Sequence, residues 1–309
     1  MVSPPAAEIA HIFDRRAVRH HRQRALFRFS EYDFLFREIG ARLAERLGDI
    51  NRTFDCAIDL GCHGGLLRNA LSGSGKVHRF IESDLFVGLR PAEGQNVVAD
   101  EEFLPFAPGS ADLVLSNLNL HWINDLPGAL IQIKRTLRPD GLFLAAMFGG
   151  DTLCELRHVL IEAETALAGG AAPRVSPFAD LADAASLLQR AGFALPVADM
   201  DTITVTYPDA FALMRELRGM GETNAVAERQ SGFTSRRTLF DAAARYGDHY
   251  ADSDGRIPAT FQILYLAGWA PHESQQQPVR PGSAQSRLAD ALETSEKTAG
   301  EKTKPEPRK

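Results

Sequence analysis

"IDLGCHGGLL", residues 58 to 67, decides how this chain is read. An apolar run ends in Asp59, Gly61, Gly64 and Gly65 follow, and Leu66 opens a helical pattern. A strand, a glycine-rich turn and a helix start in this order let a ligand approach the backbone and the positive end of a helix. Two nucleotide loops share that plan, and neither fits. A dinucleotide fingerprint requires glycine at its first, third and sixth positions, which here are Gly61, His63 and Leu66. A phosphate-binding loop requires Gly-Lys followed by Ser or Thr, which is absent from this turn.

Outward from the loop, short apolar runs alternate with helical patterns: Cys56 to Leu60, Val77 to Ile81, Asn96 to Val98, Asp112 to Ser116 and Leu142 to Phe148. Between the last two, Leu126, Leu130, Ile133 and Leu137 share one helical face, and "RPDG", Arg138 to Gly141, reads as a turn. Buried strands alternating with helices predict an α/β fold with a doubly wound, mostly parallel sheet. Upstream, a helix is expected from Ser30, capped by its hydroxyl with Asp33 completing the box, and Gly48 ends it. Downstream, helices are expected near residues 152–167 and 177–191, the second opened by Ser176-Pro177 and closed by Gly192. The alternation of Ile203, Val205 and Tyr207, and of Ile263 and Tyr265, suggests an antiparallel pair finishing the sheet.

The 309 residues, 44% hydrophobic and 24% charged, suffice for one substantial core with an appended layer or lid. The expected organisation is a basic segment at 1–29, a domain at 30–272 and a disordered tail at 273–309. Within the domain, a cofactor half covers about 52–150, and a lid with the final strands covers 151–272. The tail is rich in Gln, Pro, Ser, Lys and Glu, too polar to offset its ordering entropy. A net charge of -6 gives no global attraction to nucleic acid or to an anionic membrane. The three cysteines form no CxxC pair, which speaks against a disulfide framework or zinc ribbon and for a reducing compartment. No apolar run reaches membrane-spanning length and no signal-peptide core is visible, so a cytoplasmic protein is expected, with peripheral membrane association left open. The arginines of the basic segment, Arg15 through Arg28, read first as a solvated helix face; a lid, a docking segment or a transit peptide are the alternatives.

Two further acids narrow the ligand. Asp84 ends the second strand 23 residues after Gly61, where a carboxylate accepts ribose hydroxyls, and Asp100 follows the third, where an adenine edge is read. A strand-end acid, a glycine turn, a ribose acid and an adenine acid describe a site for a nucleoside without a pyrophosphate.

The phrases "DLGCHGGLL", "SDL", "ADEEFLPFAPGSADLVLSNLNLHWINDLPGAL" and "LRPDGLFLAAMFGGDTLCEL" resemble class I S-adenosylmethionine-dependent methyltransferases of the BioC-like, type 11 group. Within that group, "IFDRR", "MFGGDTLCELR", "RGMGETNA" and "PATFQILYLAGW" are similar to the mitochondrial complex I assembly factor 5 family and its bacterial relatives, over about residues 10–275. The resemblance implies a Rossmann-like sheet of seven strands with S-adenosylmethionine across the carboxyl ends of the first ones. By position, Asp59, Gly61, Cys62 and Gly65 would hold its methionine part, Asp84 its ribose, and Asp100 with Glu101 its adenine, with Asn117 beside them. His63 departs from the family, which has glycine there; a loop-surface histidine is the default reading, and a contact to the cofactor's carboxylate the alternative.

Methyl transfer from a sulfonium needs placement and a dry site more than acid-base help. Asn119 and His121 are the candidates to orient a substrate, with Trp122 packing beside them. The family is associated with hydroxylating an arginine of a complex I subunit, so Asp151 and Glu155, with Glu222 of the "RGMGETNA" phrase, are expected to present negative charge to a guanidinium; Asp151 and Glu155 are otherwise helix-end charges. No HxD or HxE phrase offers an iron site, and no metal is expected. Three functions stay open: an enzyme modifying a protein partner, presumed here a complex I subunit; a non-catalytic assembly chaperone that binds the cofactor; and a small-molecule methyltransferase of the biotin pathway, acting on a malonyl carrier. For an organellar member of the family the location implied is the matrix side of the inner mitochondrial membrane.

Overall fold

The structure is a computed structural model that describes residues 11–86, 88, 95–230, 232–276, 290 and 294. The chain divides into two compact units, Met1–His272 and Glu273–Lys309. The tail anticipated at 273–309 and the first ten residues of the basic segment lie almost wholly outside the described residues.

Seven strands form one sheet: β1 (Phe54–Leu60), β2 (Val77–Asp84), β3 (Gln95–Val98), β4 (Ala111–Asn117), β5 (Leu137–Phe148), β6 (Ala194–Tyr207) and β7 (Ile257–Trp269). Their order is β3-β2-β1-β4-β5-β7-β6. The first five run parallel, while β7 pairs antiparallel with both β5 and β6. Strands β1 and β4 are almost continuously buried because helices cover both faces, which is why they read as unbroken apolar runs. Strand β6 sits at an edge and alternates in exposure.

The helices are α1 (Arg15–Ala25), α2 (Phe34–Gly48), α3 (Leu66–Ala70), α4 (Leu126–Thr136), α5 (Cys154–Ala168), α6 (Leu181–Ala191), α7 (Ala210–Met220) and α8 (Arg236–Tyr250). One core joins Leu35, Phe36, Ile39 and Leu43 of α2 with residues of α5, α7 and α8 on one face of the sheet. On the other face Leu130 and Ile133 of α4 and Leu188 of α6 pack on Ile58, Val114 and Phe143. A third, small cluster of Phe13, Val18, Phe86, Trp122 and Val226 fastens α1 over the carboxyl ends of the strands.

Local expectations shifted in four places. Helix α2 begins at Phe34, because residues Leu26–Glu31 form a 3₁₀ turn and Asp33 ion-pairs with Arg37 at 2.8 Å instead of completing a cap. The "RPDG" phrase lies inside β5, where Asp140 adopts a left-handed φ of 63° beside a register shift and Arg138 reaches Asp112 at 2.7 Å. Helix α6 is capped by Asp180, whose carboxylate accepts from the Asp183 amide at 2.7 Å, four residues beyond Ser176. Helices α7 and α8 were not anticipated.

Candidate functional site

The turn after β1 holds left-handed residues at Gly61, His63, Gly64 and Gly65. Gly61 has a φ of 70°, and a Cβ there would stand 2.5 Å from Nδ2 of Asn119. Gly65, at 89°, precedes α3. His63 also has a positive φ, 45°, and it is half-buried at the cavity wall rather than free on the loop surface. Its ring stacks on Phe29 at 5.8 Å and lies 4.6 Å from Phe36, with Nε2 buried and without a hydrogen-bond partner. Burial, reinforced by the nearby Arg22 charge, pushes its pKa well below the usual histidine range. Cys62 is buried too, and burial pushes its thiol up, so it is no thiolate.

The acids converge beside this turn. Asp59 is fully buried with both carboxylate oxygens unpartnered, and burial, then repulsion by Glu82 and Asp84, holds its pKa well above the ordinary value. Asp84 accepts from the Leu85 amide at 2.8 Å and faces the Arg22 guanidinium at 3.7 Å; burial raises its pKa although Arg22 pulls the other way. Arg22 is 4% exposed and none of its three guanidinium nitrogens has a hydrogen-bond partner. A cavity of about 240 Å³ lies among Arg22, Phe29, Ser30, His63, Asp84 and Phe86. Outside that lining, Arg15 donates to Asp100 at 2.7 Å, to Glu101, and to the Trp122 carbonyl at 3.2 Å.

The basic segment is therefore not simply a solvated face. Arg15 and Arg22, seven apart, share one side of α1 with the buried Val18 and Ala25, and that interleaving of arginine with apolar residues was the legible signal. A second phrase holds α1 in place. The segment after α7 pairs with it through Asp14 N–H to the Ala225 carbonyl, Ala227 N–H to the Ile12 carbonyl, and an Asp14–Arg229 ion pair at 3.0 Å. His21 Nδ1 lies 3.0 Å from the Thr223 carbonyl.

Asn119, His121 and Trp122 follow β4. Asn119 is wholly buried and donates to Glu101 at 3.0 Å, which ties the expected reaction centre to the adenine acids. His121 Nε2 and Trp122 Nε1 both meet Oε2 of Glu222, at 3.0 and 2.8 Å. The other oxygen of Glu222 and Nδ1 of His121 are buried without partners. Burial lowers the His121 pKa despite the opposing pull of Glu222. Glu222 also borders a second cavity, of about 460 Å³, with Phe148, Leu156, Phe178, Leu217 and Phe261 among its walls. Helix α7 touches both cavities, through Met220 on one side and Leu217 on the other.

Two predicted residues are not brought to this centre. Glu155 accepts from the Thr260 hydroxyl and from its amide at 3.2 Å, and Asp151 accepts from Gln262 Nε2 at 2.9 Å. Both carboxylates tie the start of α5 to β7, the use that a helix-end charge suggested. Asn117 is turned away as well, donating to the Phe36 carbonyl at 2.8 Å and thereby joining β4 to α2. Among the described residues no helix is long and apolar enough to cross a membrane.

The sheet order, the reversed β7 and the glycine turn at the end of β1 define a methyltransferase-fold enzyme of the class I, Rossmann-like type. A methyltransferase domain model matches residues 58–145. A protein from Bacillus halodurans C-125 described as a methyltransferase superposes with a TM-score of 0.52 at 14% identity, covering 75% of this chain and 99% of that one. The chain belongs to the family of the mitochondrial arginine-hydroxylase NDUFAF5: it is 45% identical to the Danio rerio member over 286 residues, 90% of this chain and 89% of the relative. It is also 33% identical to the malonyl-[acyl-carrier protein] O-methyltransferase of Methylovorus sp. (strain MP688), over 85% of this chain and 91% of that protein.

Proposed function

We propose that the chain binds S-adenosylmethionine in the cleft beneath α1 and modifies an arginine of a partner protein, a respiratory complex I subunit, during assembly of that complex. The cofactor reading is supported by buried polar groups that lack hydrogen-bond partners: both oxygens of Asp59 and the whole guanidinium of Arg22, whose ion pair with Asp84 is a loose 3.7 Å. A zwitterionic, sulfonium-bearing ligand complements such a set, since Arg22 would take its carboxylate and a nearby positive charge would return Asp59 to its ionised form. Asp84 would accept the ribose hydroxyls, with Gly61, Cys62, His63 and Gly65 framing the methionine part and Asp100 and Glu101 the adenine. When bound, the cofactor supplies an electrophilic methyl group.

The observation that carries the substrate reading is Glu222, whose one oxygen is held by His121 and Trp122 while the other is buried and unshared beside a largely apolar cavity. An apolar channel ending in a free carboxylate oxygen matches the methylenes and guanidinium of arginine. A malonyl group would bring a second carboxylate to that place, and the two would repel. With Nε2 of His121 turned to Oε2 of Glu222, Nδ1 is left as a hydrogen-bond acceptor for a guanidinium N–H. Its lowered pKa keeps that atom unprotonated near neutrality. Asn119 would hold Glu101 and so fix the distance between cofactor and substrate.

The site of action proposed is the compartment where the nascent subunit is folded, the cytoplasm of a bacterial cell, whereas the relatives act in mitochondria by name. Peptide mass analysis of complex I subunits from a deletion strain and its complemented parent tests the reading. An arginine should lose a mass of one methyl or one oxygen in the deletion strain, and a Glu222→Gln gene should not restore it. Unchanged arginines with poor assembly would instead establish a non-catalytic chaperone, and normal assembly with unchanged arginines would refute both.

A further inference from the structure

The cavity that Glu222 borders is acidic inside and basic at its rim. Arg24, on α1, and Arg218, on α7, both line it and both are exposed. Among the described residues neither forms an ion pair, and Arg24 donates only to the Thr223 hydroxyl at 3.2 Å. The two cations stand on one lining, and the Arg218 charge, after burial, lowers the pKa of Arg24. Arg174, the third arginine on this lining, is by contrast neutralised by Glu164 and bonded to Thr234. Two like charges held together without a counter-ion cost stability in the free protein, and an anion placed between them relieves that repulsion.

We infer that Arg24 and Arg218 recognise a carboxylate side chain next to the target arginine, so that the partner segment is an arginine flanked by Asp or Glu. This rests on the proposed arginine substrate of the same cavity and adds its sequence context. The target guanidinium passes inward to Glu222, while the neighbouring carboxylate stays at the rim and bridges the arginine pair. Both ends of the cavity are then matched in sign, which rejects polybasic segments as strongly as it selects acidic ones. Without that neighbour, a cationic side chain would have to pass two uncompensated positive charges.

The test uses the full chain and four labelled peptides in fluorescence anisotropy at low and at physiological salt. They carry a central arginine flanked by Asp, the same arginine flanked by Asn or by Lys, and citrulline flanked by Asp. The Asp-flanked arginine peptide is expected to bind about ten-fold more tightly than the Asn-flanked one at low salt, with a smaller ratio at higher salt. The Lys-flanked peptide should bind weakest. In an Arg24→Gln, Arg218→Gln double variant the ratio should fall below about two-fold, an electrostatic preference being lost with its charges. Equal binding of the Asp- and Asn-flanked peptides, or a preference that survives in the double variant, overturns this inference. If citrulline binds as well as arginine, the arginine-substrate reading itself fails. Tight binding of the citrulline peptide that still needs Arg24 and Arg218 would mark the rim as a dock for an acidic carrier domain instead, which also overturns the inference. Absence of binding by every peptide overturns both.

Discussion

Replacing Gly61 by alanine tests the close approach of the glycine turn after β1 to Asn119. The backbone there has a φ of 70°, which costs an L-residue about 1–2 kcal/mol. The new Cβ would also stand 2.5 Å from Nδ2 and 2.6 Å from Cβ of Asn119, too close for either to stay. Asn119 is fully buried and donates to Glu101 at 3.0 Å, so moving it forfeits a hydrogen bond to a charged group, about 1.5–3 kcal/mol. The sum predicts a destabilisation of about 2.5–5 kcal/mol, measurable by urea unfolding monitored by circular dichroism. The two contributions separate in a double-mutant cycle. In an Asn119→Gly background, which removes the Cβ of residue 119 as well as its amide, the steric part disappears, and Gly61→Ala should cost only the backbone strain of about 1–2 kcal/mol. A Gly61→Ala protein within about 0.5 kcal/mol of the parent would refute the close approach. An unchanged cost in the Asn119→Gly background would refute Asn119 as its cause.

Other outcomes follow from the same geometry. Asp84→Asn is expected to weaken S-adenosylmethionine binding by about 1–3 kcal/mol in calorimetry while leaving the circular dichroism spectrum intact, and unchanged affinity would remove Asp84 from the ribose position. His63→Gly relieves about 1–2 kcal/mol of left-handed strain but gives up the packing on Phe29 and Phe36, worth about 0.5–1.5 kcal/mol, so stability should stay within about 1 kcal/mol and cofactor affinity should hold or rise. A large loss of affinity at unchanged stability would make the ring a ligand contact. Burial, then the Arg24, Arg229 and His20 charges, push the His21 pKa down to about 4, against the upward pull of its Thr223 bond. Because the folded-state pKa lies below the unfolded one, this contribution is present above about pH 6.5 and is lost as pH falls toward about 4. The pH-stability curve of His21→Gln should be flatter than that of the parent across this window; parallel curves would contradict the shift.

Periodicity and turn chemistry were enough for the central sheet. Strands β1 and β4 are buried on both faces, so their unbroken apolar runs announce a parallel core, and the alternation of β6 announces an edge. The glycines of the first turn and the acids Asp59 and Asp84 were likewise legible, because the end of a strand fixes where its next side chain points. Tertiary structure alone decided the partners of each charge. Asp151 and Glu155 have the right chemistry for a guanidinium, yet Gln262 and Thr260 of β7 take their carboxylates. Arg15 and Arg22 look like solvent-facing charges in a basic run, yet the clamp between Ile12, Asp14 and Ala225 to Arg229 rolls that side of α1 onto Asp84, Asp100 and Glu101. Glu222 lies 101 positions from His121 in the sequence and 3.0 Å from it in space. A local pattern records which face of an element is apolar, because burial repeats with the element's own period; a charge is satisfied by whichever opposite charge or hydrogen-bond partner the packing of distant elements brings within reach.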